Sequence, residues 1–215
     1  MADWATVAEL GTAGGTLVLA VATFASVRSA NRSARSADRA ARAAELSLLE
    51  GLRPLLANSR LQDPDQKTMF VEGHRLIVGG GRAALEVTRD VVYLAVSIRN
   101  VGSGLAVLHG WHLLPGMRTE RGHPPIEEFV TQLRDIYVAP GELDVWNAAF
   151  RDPDAEEFGK VAAAVSAGEP MTLNLLYGDF EGGQRVISQL GLRKQGDNWL
   201  ATVGRHYNVD RPDPR

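Results

Sequence analysis

"VYLAVSIRNVGSGLAVLHGWHLL", residues 92–114, decides the fold. Val92, Leu94, Val96 and Ile98 alternate with Tyr93, Ala95, Ser97 and Arg99, the period of two expected of a half-buried strand. "NVGSG" (100–104) brings the glycines of a turn, and "LAVLHGWHLL" (105–114) reads as the next strand. The same texture recurs on both sides. Upstream lie "RLIV" (75–78) and "ALEV" (84–87); downstream lie "DIYV" (135–138), "LDVW" (143–146), "MTLNLLY" (171–177), "QRVISQLGL" (184–192) and "NWLATVGRHY" (198–207). Turn signals such as "APGE" and "EGG" separate them. Short strands at this spacing predict a mainly β domain over 54–208, an antiparallel immunoglobulin-like β-sandwich.

One helical period interrupts the strands. Asp152 can cap it, Pro153 suits its first turn, and Phe158, Val161, Ala162 and Val165 form its apolar stripe before Gly168 stops it. It is expected to pack as a lid on one end or edge of the sandwich. A shorter helix is expected near "IEEFVTQL" (126–133), and residues 209–215 are expected to form a flexible tail.

The first fifty residues have another character. "LGTAGGTLVLAVATFASV", Leu10 to Val27, is eighteen residues without a charge. About twenty apolar residues cross a bilayer core, so residues 1–27 are expected to hold a transmembrane helix. Trp4 can sit at the interface, and Asp3 and Glu9 oppose the positive start that a signal peptide needs. Lys and Arg near the run all lie C-terminal to it, which predicts the N-terminus outside and the C-terminal bulk in the cytoplasm. The absence of cysteine agrees with a reducing compartment.

Beyond the apolar run, Arg28, Arg32, Arg35, Arg39 and Arg42 recur at helical steps on a bed of alanine. With Val27 at heptad position a, Ala34 and Ala41 follow at a, while Ala30, Ala37 and Ala44 fall at d. The arginines then share one outer face and the alanines form a narrow seam opposite them. The basic helix, residues 28–53, should continue the apolar one until Pro54 ends it. Anionic lipid headgroups account for the arginines nearest the bilayer. The alanine seam, with the Gly11 and Gly15 pair in the apolar run, suits close packing on another helix.

Chemistry is sparse. The net charge of -3 and the acidic remainder of the chain argue against a nucleic-acid partner. "VGGGR" (78–82) and "NVGSGLA" (100–106) match no phosphate loop, and Ser103 stands in no nucleophile elbow. His109 and His112, three apart on a strand, should face opposite sides; His74, His123 and His206 are scattered. Asp179 and Glu181 of "YGDFEGGQ" are expected to be solvated at a hairpin tip. Trp111, Trp146 and Trp199 lie on predicted strands, in the core or at an interface. No metal, cofactor or catalytic set is expected, and the chain is read as a non-enzyme.

The apolar run, the basic helix ending in "RP", the strand followed by "RNVGSG" and the late "YGDFEGGQ" hairpin together resemble small single-pass proteins of bacteria, especially actinobacteria, with a cytoplasmic sandwich. Within that group the layout is similar to the accessory subunit of mycobacterial Mce-type lipid importers. The resemblance implies an auxiliary protein that binds an integral membrane complex, such as a transporter permease, through its span and helix. A self-associating scaffold, with the alanine helices paired as a homo-oligomer, and a small-ligand sensor are the alternatives.

Overall fold

The computed structural model describes the backbone of residues 4–118 and 122–212, with their side chains except those of residues 4–14, Thr16 and Glu50. The chain divides into two compact units after Glu50.

The first unit is a helix, α1 (Trp4–Gly51), of 48 residues and about 72 Å at 1.5 Å per residue. Alanine and arginine are strong helix formers, and Pro54 disfavours helix just beyond its end. Every described side chain from Gly15 to Leu48 is exposed. Thr23 and Ser26 turn their hydroxyls back onto the carbonyls of Leu19 and Ala22, both at 2.8 Å. Asp38 and Arg42 pair one turn apart at 3.0 Å. Among the described residues no helix is long and apolar enough to cross a membrane. Of the span expected over residues 1–27, residues 1–3 and the side chains of residues 4–14 and Thr16 lie outside the described residues.

Among its described residues the second unit holds twelve strands and one further α-helix: β1 (Leu56–Asn58), β2 (Gln66–Met69), β3 (Arg75–Val78), β4 (Arg82–Val87), β5 (Val92–Asn100), β6 (Ala106–Pro115), β7 (Val130–Thr131), β8 (Tyr137–Val138), β9 (Leu143–Phe150), α2 (Glu156–Ala167), β10 (Met171–Gly178), β11 (Val186–Gln195) and β12 (Asn198–Asn208). All strand pairs are antiparallel, as the alternation predicted. Ten strands form one ladder in the order β1-β5-β4-β12-β11-β10-β6-β7, with β9 on β5 and β8 on β6; β2 and β3 form a separate hairpin. The ladder therefore differs from the two separate sheets of an immunoglobulin-like sandwich. One sheet curls until its two arms face each other, and Trp111 of β6 meets Trp146 and Phe150 of β9 with ring centroids 5.7 and 5.4 Å apart.

Between the arms lies one apolar core, built from Leu94, Val96 and Ile98 on one side and Leu173, Leu175, Leu190 and Leu192 on the other. Each such side chain contributes about 1.5–3 kcal/mol by leaving water. α2 adds Phe158, Val161, Ala164 and Val165 to this core, with Ala162 at its margin. Gly168 ends the helix at φ 68°, a conformation glycine adopts without strain. The start of α2 differs from expectation. Ala155 stands at the N-cap with no side-chain bond, because the Asp152 carboxylate accepts the Asp154 N–H at 3.1 Å in a turn ahead of the helix. The helix expected at 126–133 is a single 3-10 turn, Ile126–Glu128, followed by β7.

β5 is buried on both faces from Val92 to Ile98, where alternation predicted one wet face. Phe70, Leu76 and Val78 of the β2–β3 hairpin pack over Tyr93 and Ala95, and Ser97 bonds Ser59 at 2.7 Å. The three tryptophans of the strands are core residues, at 7, 0 and 5% exposure for Trp111, Trp146 and Trp199. Nor does the chain come free after Asn208: the Val209 N–H donates to the Arg185 carbonyl at 3.0 Å, and Asp210 pairs with the Arg185 guanidinium at 2.7 Å. Residues 213–215 lie outside the described set.

Candidate functional site

α1 carries the candidate partner surface. Its single continuous helix gives Ala30, Ala34, Ala37, Ala41 and Ala44 the four-three spacing of one stripe, with Arg28, Arg32, Arg35, Arg39 and Arg42 along the opposite side. All ten are exposed. A methyl at Gly15 would touch nothing within 4 Å, while the surroundings of Gly11 lie outside the described residues. An alanine stripe admits another helix at close range, and the arginine face offers five guanidinium forks to acidic groups.

The residues that follow α1 are held by a clasp that sequence reasoning read only as a turn. Asn100 is fully buried, and its side-chain oxygen accepts the N–H groups of Leu55 (3.1 Å) and Gly102 (3.0 Å). Its amide nitrogen donates to the carbonyls of Gly104 (2.7 Å) and Val138 (2.9 Å). All four bonding positions of the amide are thus used. The backbone of the 101–104 loop grips in turn: Val101 N–H donates to Leu55 O at 2.8 Å, and Ser103 N–H to Arg53 O at 3.0 Å. The glycines of "VGSG" were the available signal. A Cβ on Gly104 would sit 1.6 Å from Leu52 O, and one on Gly102 2.4 Å from Arg53 O, so only glycine lets the two backbones close.

Behind the clasp lies a closed hydrogen-bond ring. The Leu56 N–H donates to the Tyr177 hydroxyl at 3.0 Å, and Ser188 Oγ donates to the Leu56 carbonyl at 2.7 Å. The single Ser188 proton being spent there, Tyr177 must donate to Ser188 across their 2.8 Å. By the same count, His206 carries its proton on Nδ1, 2.8 Å from Ser188 Oγ. Burial pushes the Tyr177 phenol up to about 12. Burial, with the nearby Arg53 charge, holds His206 below the ordinary histidine value. Arg53 itself donates to the Asn208 side-chain oxygen.

Ser188 and His206 have the spacing of a nucleophile and its base. Their chemistry is blocked: Ser188 is wholly buried, and its donor and both acceptor positions are filled. The other histidines correct the sequence reading. A register shift between Leu176 and Tyr177 leaves His109 as the extra residue of a β-bulge, so His109 and His112 share the outer face of the sheet. His109 lies against Gly178, and His112 lies 3.4 Å from Asn174 and 3.6 Å from Glu128. Desolvation holds both below the ordinary histidine value. Asp179 is buried, not solvated, and accepts the Gly183 N–H at 2.8 Å to tie the hairpin tip; Glu181 is exposed. Among the described residues no three His, Asp or Glu side chains gather as metal ligands.

Comparison with protein-family models, with curated proteins and with solved structures finds no match to this chain.

Proposed function

We propose that this chain is a non-enzymatic, membrane-anchored accessory subunit that attaches a β-sandwich-like body to a larger integral membrane complex through α1. The observation that carries the reading is the exposure of α1: Leu17, Val18, Leu19, Val21 and Phe24 stand 63–69% exposed, and the alanine stripe beyond them is exposed too. Apolar side chains in that state call for lipid or a partner helix. Thr23 and Ser26, the hydroxyls of the described apolar stretch, satisfy themselves on their own helix, as an apolar medium requires. The charge imbalance around the run supports a cytoplasmic body. The resemblance to accessory subunits of Mce-type importers gives the partner class, a transporter permease.

Purification of the endogenous chain in mild detergent tests this. A stable complex with an integral membrane protein is expected; a free monomeric chain overturns the reading. The homo-oligomeric scaffold is separated by placing single cysteines at Ala34 or Ala41 of a chain that has none. Crosslinks to a different protein support attachment, and crosslinked homodimers support self-pairing.

A further inference from the structure

The β2–β3 hairpin stands outside the ten-strand ladder and turns one face inward, where Thr68, Phe70, Leu76 and Val78 are buried. Alternation sends Lys67, Met69, Arg75 and Ile77 to the other face, and all four are exposed. The register sets Lys67 opposite Ile77 and Met69 opposite Arg75, so cation and apolar side chain alternate both across the strands and along them. The outward face of an antiparallel pair is ordinarily polar. Here Met69 and Ile77 stand 60 and 61% exposed, and Val71, in the turn, 96%. The turn that presents Val71 is closed by backbone bonds, Phe70 N–H to His74 O at 2.8 Å and Gly73 N–H to Phe70 O at 2.9 Å. It is braced against the body as well: His74 stacks on Tyr93 with ring centroids 4.1 Å apart, and Glu72 pairs with Arg151.

Charge then specifies the occupant. Lys67 and Arg75 make no ion pair among the described residues, while Glu72 of the turn is engaged by Arg151 and Glu86 of β4 by His74. A second copy of this chain seated on the same face would set these cations against their own kind, which disfavours pairing between copies. An anionic lipid surface accepts both halves of the pattern. Its phosphates take the ammonium and the guanidinium, whose stems can lie along apolar surface, and its acyl boundary takes Val71, Met69 and Ile77.

We infer that the outer face of the β2–β3 hairpin is a docking surface for an anionic lipid bilayer. The inference rests on the proposed anchoring for one thing only, a bilayer within reach of the body. The test places the full chain in vesicles of phosphatidylcholine, alone or mixed with phosphatidylglycerol. A polarity-sensitive fluorophore is carried by a single cysteine at Val71 or, separately, at Ala22, in a chain that has no cysteine of its own. The Ala22 probe reports whether α1 lies in lipid, and the Val71 probe reports the hairpin. A blue shift at Val71 is expected in the mixed vesicles, weaker in the neutral ones and diminished by salt. Each cation at such a surface is worth about five-fold, so Lys67→Glu with Arg75→Glu should lower the docked-to-free ratio about twenty-fold or more. Both side chains are exposed, so the fold should survive, and Lys67→Arg should retain docking. A Val71 probe that stays in water while the Ala22 probe enters lipid overturns the inference and leaves the anchor standing. A shift of equal size in neutral vesicles, or in the charge-reversed variant, overturns it too. Water around both probes overturns both readings; a shift at Val71 with water at Ala22 keeps the docking surface and removes the anchor.

Discussion

α1 and the body that follows it are built on opposite principles. In the body, β10 buries all eight of its residues, and even its polar positions are satisfied: Thr172 between Gly116 and Arg118, Tyr177 in the Leu56–Ser188 ring. In α1 the described side chains from Gly15 to Leu48 are all open, and the bonds they make are local, such as Asp38 with Arg42. Helical propensity and i,i+4 pairs can maintain a long helix, but they add only tenths of a kcal/mol each and specify no neighbour. The body is thus packed from within, whereas the described side chains of α1 from Gly15 to Leu48 lie open.

The sharpest way to break this contrast is at Asn100. Asn100→Ala strands the Leu55 and Gly102 N–H groups and the Gly104 and Val138 carbonyls, and should cost about 3–5 kcal/mol of body stability. Chemical denaturation followed by tryptophan fluorescence in a Trp4→Phe background reads this, since the remaining tryptophans, Trp111, Trp146 and Trp199, lie in the core. A loss under about 1 kcal/mol would mean that packing, not the clasp, secures the chain after α1. Tyr177→Phe keeps the ring's volume but opens the hydrogen-bond circuit, with an expected loss of about 1–3 kcal/mol by the same assay.

Acid gives a smaller, graded effect confined to the body. His109, His112 and His206 are each held below their ordinary value, chiefly by desolvation, so below about pH 6.5 the unfolded chain binds more protons than the folded one. Their contribution is complete above that pH and declines as pH falls through the depressed folded values. Denaturation midpoints should be flat from pH 8 to 7 and decline below 6.5; a decline starting only in the carboxylate range would refute the histidine origin. Last, Ala37→Leu should change body stability by less than about 0.5 kcal/mol, as exposed sites do. Its effect should appear in recovery of the membrane complex. Unaltered recovery would remove the seam from the interface.

The sequence made the strands legible where side chains alternate around a single buried face, as in β3 and β6, and it made α2 legible through the spacing of Phe158, Val161 and Val165. It failed where burial depends on a distant segment. "QKTM" has no apolar alternation, so β2 was missed, and with it the hairpin that dries the second face of β5. β1 is three residues long and owes its place to Asn58 and Leu56 bonding across the fold. The bulges at His109 and Gly204 add single residues that no periodicity reveals. In α1 the spacing of the alanines and arginines translates into faces of one continuous helix, while the clasp is hidden in the sequence because Asn100 looks like any turn residue.

The clasp also has a mechanical meaning. Tension arriving along the backbone at Gly51 would first load Arg53 O against Ser103 and Leu55 against Val101 and Asn100, bonds that share the pull and must fail together. Because Asn100 closes β5 and bonds Val138 of β8, that load would pass into the sheet. A pull on Gly51 would thus meet several bonds acting in parallel, which resist it as a cleat holds a rope.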